Sequence, residues 1–124
     1  MQEVAIATLR CFRRHVPVAV QGIVFLSGGQ EERVATAHLN AINRLPGHKP
    51  WTITFSYGRA LQDPALEAWH GLDENLKAGQ QALYHRARCN GAASMGHTPT
   101  RWRENRWPLA GRFIAVSGMT TDLR

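Results

Sequence analysis

Apolar positions along the chain alternate between helical stripes and short extended runs. Residues 2–15 put Ala5, Leu9 and Phe12 on one face, continued by Val16, with Arg10, Arg13 and Arg14 mostly off it. This spacing predicts an amphipathic helix that Pro17 ends, with Arg13 and Arg14 as its solvated or carbonyl-capping end. Residues 22–26 then form an unbroken apolar run, GIVFL. Such a run suits a strand covered on both faces, as in parallel sheets, although periodicity alone does not separate it from a buried helix. Ile23, Val24 and Phe25 favour the strand. Between residues 30 and 45, Ala35, Leu39, Ile42 and Leu45 return to helical spacing, and Trp51, Ile53 and Phe55 then alternate with Thr52, Thr54 and Ser56 as a second strand. The unit is a strand, helix, strand crossover, expected to be right-handed, with two parallel neighbours.

Beyond it, Asp63 suits a helix cap with Pro64 at the first position, and a short helix to about Trp69 is predicted. Gly71 breaks that helix and Asp73 can cap another, along which Leu72, Leu76, Gly79, Leu83 and Ala87 trace a stripe as far as residues 89 to 93. Two parallel strands leave two unpaired edges, so the isolated chain is expected to be aggregation-prone or only partly ordered.

Both strands stop at glycine. The first runs into Ser27-Gly28-Gly29-Gln30, the second into Ser56-Tyr57-Gly58-Arg59. Glycine frees the backbone to turn and lets N–H groups approach an anion, and Glu31 and Glu32 suit a helix N-terminus. If the strands are parallel neighbours, both loops open at the same carboxyl-terminal edge. Two glycine turns, a serine hydroxyl and one bidentate arginine can then surround a phosphate dianion.

The residues also carry a resemblance. Arg13-Arg14-His15-Val16-Pro17, the run 22–30 (GIVFLSGGQ), Leu39-Asn40-Ala41-Ile42-Asn43, Lys49-Pro50-Trp51 and the run 55–62 (FSYGRALQ) resemble the carboxyl-terminal third of class I fructose-bisphosphate aldolases. The likeness extends in order, at the family's spacing, over about residues 2–96. It implies the last helix, strand, helix, strand, helix portion of a (β/α)₈ barrel, an α/β fold that needs about 250 residues when complete. Such barrels often bind phosphate in the loops after strands seven and eight, the two loops singled out here. By resemblance, Ser27, Gly28, Gly29, Gly58 and Arg59 hold a phosphate of a sugar bisphosphate, with Ser56 and Tyr57 lining the site.

The family's reaction cleaves fructose 1,6-bisphosphate to two triose phosphates through a lysine Schiff base. The lysines of this chain are Lys49 and Lys77, and neither matches the Schiff-base position. No catalytic residue is therefore assigned, and no cofactor or metal is expected. By resemblance the family is usually homo-oligomeric. The alternatives are a non-catalytic phosphate-binding or subunit-association remnant and, remotely, a translation release factor, because residues 28–30 spell GGQ.

Length and charge refine this picture. The chain has 124 residues and a formal net charge of +6. Half of that excess falls in residues 97–124, where Arg101, Arg103, Arg106, Arg112 and Arg124 face Glu104 and Asp122. Residues 97–124 form a divergent basic tail, expected to be disordered or translated from another frame, and the tyrosine expected in the family's tail is missing. Trp102 and Trp107 among these arginines could stack on single-stranded nucleic acid, but the half of the excess charge that lies in the tail gives no such role to residues 1–96. Cys11 and Cys89 lack metal or redox spacing, and the six histidines form no HxxxH pair. No run approaches the roughly 18 apolar residues of a membrane span, so a cytoplasmic location is expected.

Overall fold

The computed structural model describes residues 1–56 and 58–99. Helix α1 (Gln2–His15) leads to strand β1 (Gly22–Phe25), helix α2 (Glu32–Arg44), strand β2 (Thr52–Phe55) and helix α3 (Arg59–Trp69). A single 3₁₀ turn, Asp73–Asn75, opens into helix α4 (Leu76–Ser94). The strands pair in parallel, Gly22 opposite Thr52 and Phe25 opposite Phe55. Flanking bonds from Thr52 N–H to the Gln21 carbonyl and from Ser56 N–H to the Phe25 carbonyl extend the ladder by one rung at each end.

The stripe read from α1 is the one it buries: Ala5 and Leu9 meet Leu39 and Ile42 of α2, Trp51, Ile53 of β2 and Ala93 of α4. Fully burying Leu39 or Ile53 stabilises the fold by about 1.5–3 kcal/mol each. Phe12 stacks on Phe25 with ring centroids 5.8 Å apart and meets Trp51 edge-on at 6.1 Å, while the Trp51 indole N–H donates to the Pro17 carbonyl. Asn43 joins three elements, because its side-chain amide donates to the carbonyls of Leu39, Ile53 and Ala93 at 3.1–3.2 Å.

Three expectations are corrected. β1 is not covered on both faces, since Val24 is 63% exposed; among the described residues β2 is its sole partner strand, and α1 packs over one side. Helix α3 does not start at an Asp63 cap. It starts at Arg59, with Gly58 as the residue before it and Pro64 inside. An interior proline removes the bond to the carbonyl four residues back, and here that carbonyl, Ala60, accepts instead from Arg86 Nε at 2.9 Å and Asn90 Nδ2 at 3.2 Å.

The third correction concerns α4. Leu72, Leu76 and Leu83 are exposed and so is Ala87; of the expected stripe only Gly79 is buried. The buried positions are Gly79, Arg86, Cys89, Asn90 and Ala93, small or polar residues that let neighbouring backbones approach. Residues 97–99, assigned from sequence to the divergent tail, are docked. His97 N–H donates to the Ala92 carbonyl, and Thr98 is buried with its N–H on Asn40 Oδ1 at 2.9 Å. Trp102, Trp107 and the tail arginines lie outside the described residues. No helix among the described residues is long and apolar enough to cross a membrane.

Candidate functional site

Parallel pairing decides where the two glycine loops meet. Because Phe25 and Phe55 are in register and Ser56 N–H bonds to Phe25, both chains leave the sheet at the same edge. That carboxyl edge is where ligands bind in parallel α/β sheets. The first loop is a tight turn: Gln30 N–H donates to the Ser27 carbonyl at 3.1 Å, and its two central residues, Gly28 and Gly29, have φ of 63° and 76°. Positive φ at both central positions is the signature of a type I′ turn, which glycine adopts without strain. A Cβ on Gly29 would touch nothing within 4 Å, so conformation, not crowding, calls for glycine there. Ser27 is buried while Gly28 and Gly29 are exposed, leaving the turn's backbone open to solvent.

Gly58 is extended, with φ of −177°, and its carbonyl accepts from Leu61 and Gln62 to close the first turn of α3. A side chain there would also meet nothing within 4 Å. Arg59, the first helical residue, and Ser56 are exposed. The predicted residues Ser27, Gly28, Gly29, Ser56, Gly58 and Arg59 thus all lie on the two loops at one sheet edge. Tyr57 lies outside the described residues. Each loop feeds a helix N-terminus, whose free N–H groups and dipole favour an anion. At α2 the carboxylates of Glu31 and Glu32 would oppose one, but Arg33 Nε lies 3.6 and 3.8 Å from them. That nitrogen makes no hydrogen bond, so the contact is Coulombic.

Neither lysine is near this edge in the topology. Lys49 donates to the Leu45 carbonyl in the segment before β2, at the opposite edge, and Lys77 lies in the first turn of α4. Among the described residues, no three histidines, cysteines or carboxylates gather as metal ligands.

Behind the loops lies a buried polar cluster that sequence reading did not single out. Arg86 donates through Nε to the Ala60 carbonyl and through Nη2 to the Glu32 carbonyl, each at 2.9 Å, and also through Nη2 to Thr36 Oγ1. Asn90 Oδ1 accepts from Thr36 Oγ1 at 2.7 Å. Burial pushes the Arg86 pKa down, with Cys89 and Glu32 opposing the shift, but a guanidinium stays charged in proteins. Burial also raises the Cys89 thiol and lowers His85, which faces Arg86 and Arg88 as well, so Cys89 is an inert thiol.

A parallel α/β unit with paired loops at its carboxyl edge defines a broad class, and sequence comparison narrows it. The family model for class-I fructose-bisphosphate aldolase matches residues 1–107, and the chain belongs to that family. It is 60% identical over 95 residues to a fructose-bisphosphate aldolase B of Sparus aurata, covering 77% of this chain and 26% of the relative. It is also 60% identical over 100 residues to a muscle-type aldolase of Lethenteron camtschaticum, covering 80% and 28%. A fructose-bisphosphate aldolase of Plasmodium falciparum, solved in complex with TRAP and a small molecule inhibitor, superposes with a TM-score of 0.75 at 48% identity. That likeness covers 79% of this chain and 28% of the solved one. The chain therefore spans little more than a quarter of the length of these relatives.

Proposed function

We propose that the chain is the carboxyl-terminal portion of a class I aldolase barrel and keeps part of its sugar-phosphate site without its reacting amine. In this reading the backbone of Gly28 and Gly29, the Ser27 hydroxyl and the free N–H groups around Gly58 surround one phosphate of a sugar bisphosphate. Ser56 lines the space, and Arg59 closes it with a planar fork that lysine does not reproduce. The observation that carries the reading is the parallel register, Phe25 opposite Phe55, which opens both glycine loops at one edge.

Aldol cleavage by this family's chemistry needs a lysine whose amine forms an imine with the ketone carbon, plus groups that move protons. Lys49 and Lys77 lie away from the loop edge, so the chain binds the phosphate end of such a substrate and does not cleave it. Binding without cleavage makes it a phosphate-binding element of a larger barrel. Borohydride reduction in the presence of dihydroxyacetone phosphate, followed by mass spectrometry, tests the assignment. No adduct is expected; a stable adduct on Lys49 or Lys77 would overturn it.

A further inference from the structure

The guanidinium of Arg86 is bound to the first turns of both helices that start at the candidate phosphate loops. Glu32 is the first residue of α2, two residues beyond the Ser27 to Gln30 turn; Ala60 is the second residue of α3, directly after Arg59. Their carbonyls accept from two different nitrogens of one planar group, Nε to Ala60 and Nη2 to Glu32. Arginine alone offers donors at such fixed separation. Pro64 accounts for the vacant acceptor on α3, because it supplies no N–H to Ala60 and its ring crowds that carbonyl. Asn90, one turn further along α4, donates to the same oxygen and receives the Thr36 hydroxyl. Arg86 is 3% exposed and every hydrogen-bond acceptor it reaches is neutral.

We propose that Arg86 is a positioning residue for the phosphate site, a rigid strut from α4 that fixes the spacing between the N-terminal turns of α2 and α3 and hence between the two glycine loops. The proposal rests on the phosphate reading given above. It also makes a geometric claim that holds without any ligand: removing the strut loosens those two helix starts before it loosens the rest of the fold.

Amide hydrogen exchange on the full chain reads that claim directly. The Ala35 and Gln62 amides close the first turns of α2 and α3 on the Glu31 and Gly58 carbonyls, whereas Val16 and Ser56 report α1 and the sheet. In Arg86→Met, exchange at Ala35 and Gln62 is expected to rise about ten- to a hundredfold relative to Val16 and Ser56, the fold-change of a lost charged hydrogen bond. Arg86→Lys keeps the charge but has one donor nitrogen, so it should protect one of the two turns and carries the test if Arg86→Met does not fold. Adding Pro64→Ala returns an N–H to the Ala60 carbonyl. It should restore Gln62 in either background while leaving Ala35 unprotected in Arg86→Met.

A uniform rise at all four amides, or none at Ala35 and Gln62, would overturn the strut. Titration with inorganic phosphate separates the two readings. If the wild-type chain binds phosphate, a tenfold or greater loss of affinity in folded Arg86→Met supports positioning and unchanged affinity refutes it. If the wild type shows no phosphate response, the site assignment fails, and with it the positioning role, even where exchange confirms the strut.

Discussion

A methyl group placed on Gly79 would lie 2.8 Å from Trp69 Cβ and 3.3 Å from the Ala65 carbonyl. Glycine at this point lets α4 lie directly on the end of α3, which explains why a residue of poor helix propensity sits inside a helix. Both contacts are to atoms that cannot swing aside. Gly79→Ala should therefore destabilise the chain by about 1–3 kcal/mol despite its better propensity, as overpacking does. A urea midpoint that rises in this variant would show that the two helices are not in close contact.

The turn after β1 separates conformational from steric demands. Alanine at Gly28 or Gly29 must adopt positive φ, a cost of roughly 1–2 kcal/mol, whereas Gly58 is extended and uncrowded. Gly28→Ala and Gly29→Ala should lower the unfolding midpoint and Gly58→Ala should leave it nearly unchanged. Equal losses at all three positions would argue against the turn.

Asn43 carries an unusual share of the polar connections. Its truncation to alanine leaves the buried Ile53 carbonyl without this donor, while the Ala93 carbonyl keeps the Gly96 N–H. Each buried acceptor left unsatisfied costs about 1–3 kcal/mol. Asn43→Ala is expected to be among the most destabilising single changes, measured by chemical denaturation; a loss below about 0.5 kcal/mol, typical of surface sites, would contradict the placement.

His85 and Cys89 limit the stability window from opposite sides. The His85 pKa is lowered in the fold, chiefly by burial and then by Arg86 and Arg88. Below pH 6.5 the unfolded chain takes up that proton first, so stability is full above 6.5 and falls as pH drops towards the folded value. Cys89 is raised, so above pH 9.0 the unfolded thiol ionises first and stability falls as pH rises. Urea midpoints measured across pH should form a plateau between these limits, with the acid slope reduced in His85→Gln. An unchanged acid slope in that variant would remove His85 from the explanation.

Elements whose side chains carry a single periodicity were legible in the sequence. The α1 stripe, the α2 stripe and the alternation in β2 each follow from residues that have one face to bury. The positions of the two loops were legible because a glycine pair and a Gly-Arg directly follow the strands; a plain strand-to-helix turn uses glycine in the same way, so the phosphate role given to them is a proposal. The α4 face was not, because Gly79, Arg86, Cys89 and Asn90 carry little hydropathy signal while Leu72, Leu76 and Leu83 carry much. The start of α3 was masked by Asp63-Pro64, a normal helix opening when read locally; only the donors from Arg86 and Asn90, 26 and 30 residues away from Ala60, make an interior proline tolerable.

The shared phosphate site is tested most directly by adding inorganic phosphate to the ¹⁵N-labelled chain and following the amide resonances of Gly28, Gly29 and Gly58. We expect the three to shift together with one saturation curve, and Arg59→Ala to abolish the response in both loops. Movement of one loop alone, or no saturable shift at either, would show that the two glycine turns do not share a ligand.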